Sequence, residues 1–280
     1  MDTQPLDLSA VLERAEAIAR QAGALLLHYF ERPRGANHKS TNIDLVTEAD
    51  GASEALIVGA LRAAFPDHHI HGEEGGGYGP DPDQTPYHWW VDPLDATTNF
   101  AHRLPHFAVS LALSDPDLWP LVGVVYDPMR DEMFKGIRGQ GAWLNGRRMH
   151  VTSVADLSQA LVTTGFPYDR WTAEDNNAAR VGHFVVRTQG VRRLGSAALD
   201  MCYVAAGRCD LYWERGPQPW DVQAGILLVH EAGGRVSDYS GEMTLEARRG
   251  HGILASNGHI HDQGVAVLTL GDAAPLPKRE

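Results

Sequence analysis

Asp92 and Asp95 stand three residues apart with Pro93 between them, and Thr97, Thr98 and Asn99 follow at once. Trp89, Trp90 and Val91 lead into this run, which suits a buried strand. Pro93 cannot donate a ladder hydrogen bond, so the strand is expected to end there. The threonines and the asparagine favour a helix start. The pattern sets two carboxylates at a strand end, facing the amides of a helix N-terminus. Oxygen ligands select Mg²⁺, Mn²⁺ or Ca²⁺, and helix N-termini bind phosphate. Together they point to metal-assisted chemistry at a phosphate.

Two further carboxylate positions fit that chemistry: Glu73-Glu74, after a short apolar stretch, and Asp221, at a helix start after Trp220. Two cations about 4 Å apart can clamp the attacking and leaving oxygens of a phosphoryl transfer, given one bridging carboxylate and several terminal ones. Either position alone is weak, because a Glu pair is usually solvated and an Asp at a helix start is usually a cap. Other chemistries find less support. Among fourteen histidines, His68-His69-x-His71 is the only tight cluster, and no H-E-x-x-H motif accompanies it, so a structural or surface role is expected. Ser110, Ser153 and Ser196 lack the G-x-S-x-G setting of a nucleophilic serine. Cys202 and Cys209 are the only cysteines and read as buried free thiols; two cannot form a structural zinc site.

The elements that must hold these residues follow from periodicity. Leu8 to Phe30 has helical spacing, with Asp7 or Ser9 as cap, and a second helix is expected from Ala49 to Phe65, with Ala52, Ala55, Leu56, Val58 and Leu61 as its apolar positions. Gly75 to Pro86 shows no periodicity and reads as a mobile surface loop. Residues 106–151 read as an antiparallel meander: strands at Phe107–Leu113, Leu121–Tyr126 and Glu132–Gly136, and a hairpin at Asn145-Gly146. Residues 169–182 resemble an exposed helix. A helix capped by Ser196 and stopped by Gly207, a strand over Asp210–Trp213 and an apolar helix over residues 222–232 complete the reading. The class is α+β, in two halves: residues 1–150, with the metal-binding motifs, and residues 151–280, an α/β half that completes the site.

The 280 residues are 43% hydrophobic, enough for a substantial core. The formal charge of −12 argues against a general nucleic-acid surface, so no direct nucleic-acid binding is expected. It would also repel an anionic substrate, unless bound divalent cations reverse the sign locally. No apolar run approaches the roughly 20 residues that span a membrane, and the N-terminus lacks a basic leader, so a cytoplasmic location is expected.

Taken together, the motifs resemble those of the inositol monophosphatase family, within the metal-dependent, lithium-sensitive phosphatases. They are Asp44-Leu-Val-Thr-Glu-Ala-Asp50, Gly72-Glu-Glu74, Asp92-Pro-Leu-Asp-Ala-Thr-Thr-Asn-Phe100, Gly195-Ser-Ala-Ala-Leu-Asp200, and Trp220-Asp221 through Glu231-Ala-Gly-Gly234. Arg103-Leu-Pro-His-Phe-Ala-Val-Ser110, Val125-Tyr-Asp-Pro-Met-Arg130 and Gly165-Phe-Pro167 are most similar to the bacterial branch. The resemblance implies a layered α/β/α/β/α sandwich, usually a homodimer. It implies Mg²⁺, two or three ions per subunit with Mn²⁺ as a substitute. Glu73, Asp92 and the backbone carbonyl of Leu94 would hold the first ion. Asp92, Asp95 and Asp221 would hold the second, and Glu73 would serve a weaker third through waters. Glu73 and Thr97 would orient and deprotonate the attacking water, with Asp50 supporting Thr97. Amides of Ala96 and Thr97 would receive the phosphate. Asp95, Gly195, Ala197 and Glu214 would face the substrate, with Lys39 and Glu74 as supporting or loop-closing residues.

The activity implied is hydrolysis of a small phosphomonoester, inositol 1-phosphate foremost, by a metal-activated water. The alternatives are a histidinol-phosphate or other sugar or polyol phosphatase, or a regulatory protein that binds the transcription machinery and has weak activity. One position departs from the family, which normally has Gly where this chain has Ala96. If that residue needs positive φ, alanine adds strain of order 1 kcal/mol; if φ is negative, only a methyl group is added.

Overall fold

The computed structural model describes residues 6–31, 36–38 and 45–270. Asp7 accepts hydrogen bonds from the amides of Ser9 and Ala10 and so starts α1 (Leu8–Phe30). Val11, Ala15, Ile18, Ala22 and Leu26 fall on its buried face at helical spacing. The pair β1 (Ala36–His38) and β2 (Leu45–Thr47) leads into α2 (Glu48–Ala64). The inward face of α2 differs from the expected one: Ala55 is exposed, while Ser53, Glu54 and Ile57 are buried.

An eight-stranded sheet follows. It is built from β3 (His69–Gly72), β4 (Gly76–Tyr78) and β5 (His88–Asp95), with the short α3 (Thr97–Ala101) after β5. Then come β6 (Ala108–Ser114), β7 (Pro120–Asp127), β8 (Glu132–Ile137), β9 (Gly141–Leu144) and β10 (Arg147–Arg148). The spatial order is β10-β9-β8-β7-β6-β5-β3-β4, antiparallel throughout except for β3 beside β5. The meander is as expected, and Asn145 and Gly146 both take positive φ in the β9–β10 hairpin. The segment read as a mobile loop differs. Its first part forms β4, because Gly76–Tyr78 pairs with β3.

The second half supplies β11 (Leu161–Thr164), α4 (Ala178–Val185), β12 (Gly190–Arg192), α5 (Ala197–Ala205), β13 (Leu211–Glu214) and α6 (Pro219–Glu231). It continues with β14 (Arg235–Ser237), α7 (Leu245–Arg248), β15 (Ile253–Ser256) and α8 (His261–Leu268). The strands form a five-stranded sheet in the order β12-β11-β13-β15-β14. Residues 169–182 are not one helix: α4 begins only at Ala178, after a turn-rich loop. The apolar helix starts earlier than expected, because Pro219 serves as its first residue.

Packing gives five layers. α1 and α2 cover one face of the large sheet; α5 and α6 lie between the two sheets; α4 and α8 cover the far face of the small one. Three apolar cores fill the gaps, centred on residues such as Trp89 and Leu26, Phe134 and Tyr212, and Phe184 and Trp213. This is the α+β layered sandwich expected from the sequence. Cys202 and Cys209 are buried free thiols. No helix among the described residues is long and apolar enough to cross a membrane.

Candidate active site

The central carboxylates come from the end of β5. That strand does not stop at Pro93, as expected, but runs on to Asp95 through a register shift. Asp92 pairs with Ser110 and Asp95 with Ala108, so one residue bulges out between them. A bulge tolerates the missing amide of proline. It also matters for the site, because residues three apart on a regular strand face opposite sides. Here Asp92 and Asp95 line the same cavity. The bulge is pinned by Ser53 Oγ, 2.9 Å from the Pro93 carbonyl, and by the Leu94 amide, 2.9 Å from Asp92 Oδ1.

Ala96 follows at φ 78° and ψ 47°, in the left-handed region. The first of the two alternatives for this position therefore holds, and the alanine is strained. It turns the chain into α3, whose N-terminus has no side-chain cap. The Thr97 hydroxyl lies 2.9 Å from Asp50 Oδ1 and 3.1 Å from the Leu94 carbonyl oxygen. Asp50 Oδ2 in turn accepts from the Thr47 amide and hydroxyl at 2.7 and 2.6 Å, closing a capping box at the start of α2. Asn99 fixes α3 from the other side, donating to the carbonyls of His106 and Leu194.

The remaining carboxylates of the site arrive from three other elements. Glu73 leaves the end of β3, with its amide on the Val91 carbonyl at 3.2 Å. The turn after it is held by Glu54, a buried carboxylate of α2 that accepts from the Glu74 and Gly75 amides and from the Tyr78 hydroxyl at 2.7–2.8 Å. Asp221 sits in the first turn of α6, where Oδ2 caps the helix from the Gln218 amide at 2.6 Å. Asp95 Oδ2 accepts from Ser196 Oγ and, at 2.9 Å, from the Ala198 amide, which ties β5 to the start of α5. Glu214 ends β13 and accepts from the Tyr212 hydroxyl at 2.9 Å. Its carboxylate lies over Gly165, where a Cβ would meet Glu214 Oε2 at 1.9 Å.

These elements enclose one cavity of about 570 Å³. Glu73, Asp92, Leu94, Asp95, Ala96, Thr97, Gly195, Ala197, Glu214 and Asp221 all line it. Asp50 stands behind the wall, joined to it through Thr97. Glu74 is not part of the lining, and Lys39 lies outside the described residues. Sequence reasoning missed Ser53, Glu54 and Gly165, which position the site, and Arg170 and Arg193, which line it. The one legible signal was the run Gly165-Phe-Pro167, singled out as a motif without a role. The histidine cluster is structural: His71 stacks on Trp90 at 4.0 Å, and His68 Nδ1 lies 3.1 Å from Trp89 Nε1.

The electrostatics of the wall follow from burial. Asp92 is held well above the usual carboxylate range, first by desolvation and then by the charges of Glu73, Asp95 and Asp221. Asp221 is raised by desolvation and by the charges of Glu73 and Asp95, against the hydrogen bond from the Gln218 amide. Burial lifts Asp95 to about 6, against the hydrogen bonds from Ser196 and Ala198. Like charges at this density call for a counter-cation. The donors are carboxylate oxygens with a backbone carbonyl beside them, the set that suits Mg²⁺ or Mn²⁺ rather than a softer metal that takes thiolate or imidazole ligands. Among the described residues no three such side chains are already closed into a metal-binding cluster. The wall therefore supplies a fitting donor set rather than a finished coordination shell.

Comparison with known proteins gives a consistent picture. The family described as "Inositol monophosphatase family" matches residues 7–269. The chain is 45% identical over 260 residues to the inositol-1-monophosphatase of Synechocystis sp., covering 92% of this chain and 88% of that protein. It is equally similar, 45% over 254 residues, to the Nus factor SuhB of Pseudomonas aeruginosa, covering 89% and 92%. Among solved structures, inositol monophosphatase from Anabaena (Nostoc) sp. matches with a TM-score of 0.84 at 45% identity, over 94% of this chain and 96% of that one. The extragenic suppressor protein suhB from Bartonella henselae matches with a TM-score of 0.85 at 35% identity, over 94% and 99%.

Proposed function

The chain belongs to the inositol monophosphatase family, and on that premise we propose that it hydrolyses a small phosphomonoester with Mg²⁺ as cofactor, inositol 1-phosphate or a similar polyol phosphate being the substrate. The observation that carries this reading is the meeting of Glu73, Asp92, Asp95 and Asp221 with the uncapped start of α3 in one cavity. Glu73, Asp92 and the Leu94 carbonyl would hold one ion. Asp92, Asp95 and Asp221 would hold another, with Glu73 serving a weaker third; Mn²⁺ could substitute. When bound, the ions offset the charge of the carboxylates and the phosphate and stabilise the leaving oxygen.

The chain's own residues do the rest. Thr97 hands its hydroxyl proton toward Asp50, so its oxygen can accept from a water placed beside Glu73. Glu73 would orient that water for in-line attack on phosphorus and take up its proton as the P–O ester bond breaks, and the leaving alkoxide oxygen regains a proton from solvent, so that the free alcohol and phosphate result. The amides of Ala96 and Thr97 receive a phosphate oxygen. Asp95, Gly195, Ala197 and Glu214 face the alcohol part, and Glu214 meets its hydroxyls. The family reading extends to a cytoplasmic, lithium-sensitive homodimer.

The relatives named Nus factor SuhB favour a second reading, in which the chain binds the transcription machinery and phosphatase activity is weak. One experiment separates the two: phosphate release from inositol 1-phosphate while Mg²⁺ is titrated in and then removed with EDTA. The first reading expects turnover that rises with Mg²⁺ and stops on chelation. No release at any metal level, with transcription factors co-purifying, supports the second.

A further inference from the structure

Ser110 lacks the setting of a nucleophilic serine and has no task in the reaction above, yet it lies fully buried beside the carboxylates. It stands on β6 directly opposite Asp92 of β5. Residues paired across two strands project to the same face, so the Ser110 side chain neighbours that of Asp92. Its hydroxyl donates to the Trp220 carbonyl at 3.0 Å. Trp220 immediately precedes Asp221 in the first turn of α6. One hydroxyl therefore ties the start of α6, which carries Asp221, to the strand position beside Asp92.

The strand does not need that hydroxyl to fill space. Ala108 and Ala112 lie two residues away on either side, on the same face of β6. Both are fully buried in the core between the sheets, with Val222 and Ala224 of α6. A methyl group is enough at those positions. Burying a hydroxyl is costly unless it is bonded, and the bond to Trp220 offsets that cost. Elsewhere α6 is seated by packing. Gly123 of β7 lies under it, where a Cβ would stand 3.1 Å from Ala224 Cα. That contact lies about one turn beyond Asp221. At the first turn Asp221 faces the like charges of Glu73, Asp92 and Asp95, whose repulsion opposes the seating. The Ser110 bond acts at that turn.

We propose that Ser110 is a positioning residue for the second cation: by holding the Trp220 carbonyl it keeps Asp221 beside Asp92, so that Asp92, Asp95 and Asp221 can share one ion. This inference rests on the ion assignment of the phosphatase reading and adds a residue that serves one ion and not the other. The first ion draws on Glu73, Asp92 and the Leu94 carbonyl, from the end of β3 and from β5, and takes no ligand from α6.

The test is Mn²⁺ binding to the full chain, followed by the electron paramagnetic resonance signal of free Mn²⁺, which counts ions and gives an affinity for each of the two tighter classes of site without any turnover. Asp221→Asn removes a ligand of the second ion and so identifies the class that α6 serves. Ser110→Ala should weaken that same class by roughly tenfold or more and leave the other unchanged. Ser110→Cys, close in size but a far weaker donor, should do the same. Phosphate release from inositol 1-phosphate should shift to higher Mg²⁺ in both variants, and melting temperatures establish that each is folded. Both classes bound as in the parent, or both weakened alike, overturns the inference while leaving the phosphatase reading standing. A parent chain that binds both classes but releases no phosphate overturns that reading and leaves the role of Ser110 to the binding data. A parent chain that binds no Mn²⁺ overturns both.

Discussion

Thr97 Oγ1 stands 2.9 Å from Asp50 Oδ1, joining the first residue of α3 to the first turn of α2 across 47 positions of chain. The same carboxylate caps α2 through Thr47. Asp50 therefore serves both a helix and the residue assigned to handle the proton of the attacking water. Thr97→Ala should lower kcat by about a hundredfold or more with little change in KM, and Thr97→Ser should restore most of it. Asp50→Asn should cost less in kcat but lower stability by about 1 kcal/mol, because the capping box is weakened. Equal turnover in Thr97→Ala and the parent chain would contradict the role given to the hydroxyl.

Ala96 offers a test by improvement. Its φ of 78° is one that L side chains adopt at a cost of about 1 kcal/mol relative to glycine. Ala96→Gly should raise the melting temperature by about 2 °C and should not reduce turnover. A lower melting temperature would mean that the methyl group makes contacts worth more than the strain.

Glu54 never touches the cavity, yet it holds the turn after Glu73 by three hydrogen bonds. Glu54→Gln keeps the shape but cannot accept from two amides and a hydroxyl with both ends. We expect a higher Mg²⁺ requirement and a roughly tenfold loss of activity, as is usual when a group that orients a metal ligand is lost. An unchanged Mg²⁺ titration would show that the turn holds itself.

Glu214 supplies a pH test. Burial raises its folded pKa to about 7, above the ordinary carboxylate value. Between roughly pH 4.5 and 7 the folded chain keeps a proton that the unfolded chain has released, so this group makes stability fall as pH rises through that window. Above about 7 the ionised carboxylate accepts better from substrate hydroxyls, so KM for a polyol phosphate should drop severalfold from pH 6 to 8. Glu214→Gln should flatten both the KM profile and its share of the stability profile. A glutamine variant with the parent's KM profile would assign the titration to another group.

Much of this organisation was legible in the residues, and the exceptions have physical causes. α1 was plain because its apolar residues recur at helical spacing and Asp7 caps it. The meander was plain because Asp127-Pro128 opens a turn and Asn145-Gly146 marks a hairpin between short apolar runs. β4 was hidden because two of its three residues are glycines, and its pairing is imposed by β3. β11, β12, β14 and β15 are three or four residues long, too short for a periodic signal. In the site, the run from Asp92 to Asn99 was readable because carboxylates, proline and helix start coincide. The bulge that turns Asp92 and Asp95 to one cavity was not, since it depends on register against β6. Glu54 acts through contacts made only after folding, so its position in the chain carries no mark of them.

The central claim is that the carboxylates of this cavity hold the cations that drive phosphate release, with Asp92 shared between them. Asp92→Asn tests it most directly, because the amide keeps the shape and removes the charge. Phosphate release from inositol 1-phosphate would be measured across a Mg²⁺ titration, beside the melting temperature of the variant. The account predicts a folded protein whose turnover falls by more than about a hundredfold and is not recovered at high Mg²⁺. A folded Asp92→Asn protein with near-parental, Mg²⁺-dependent turnover would contradict it.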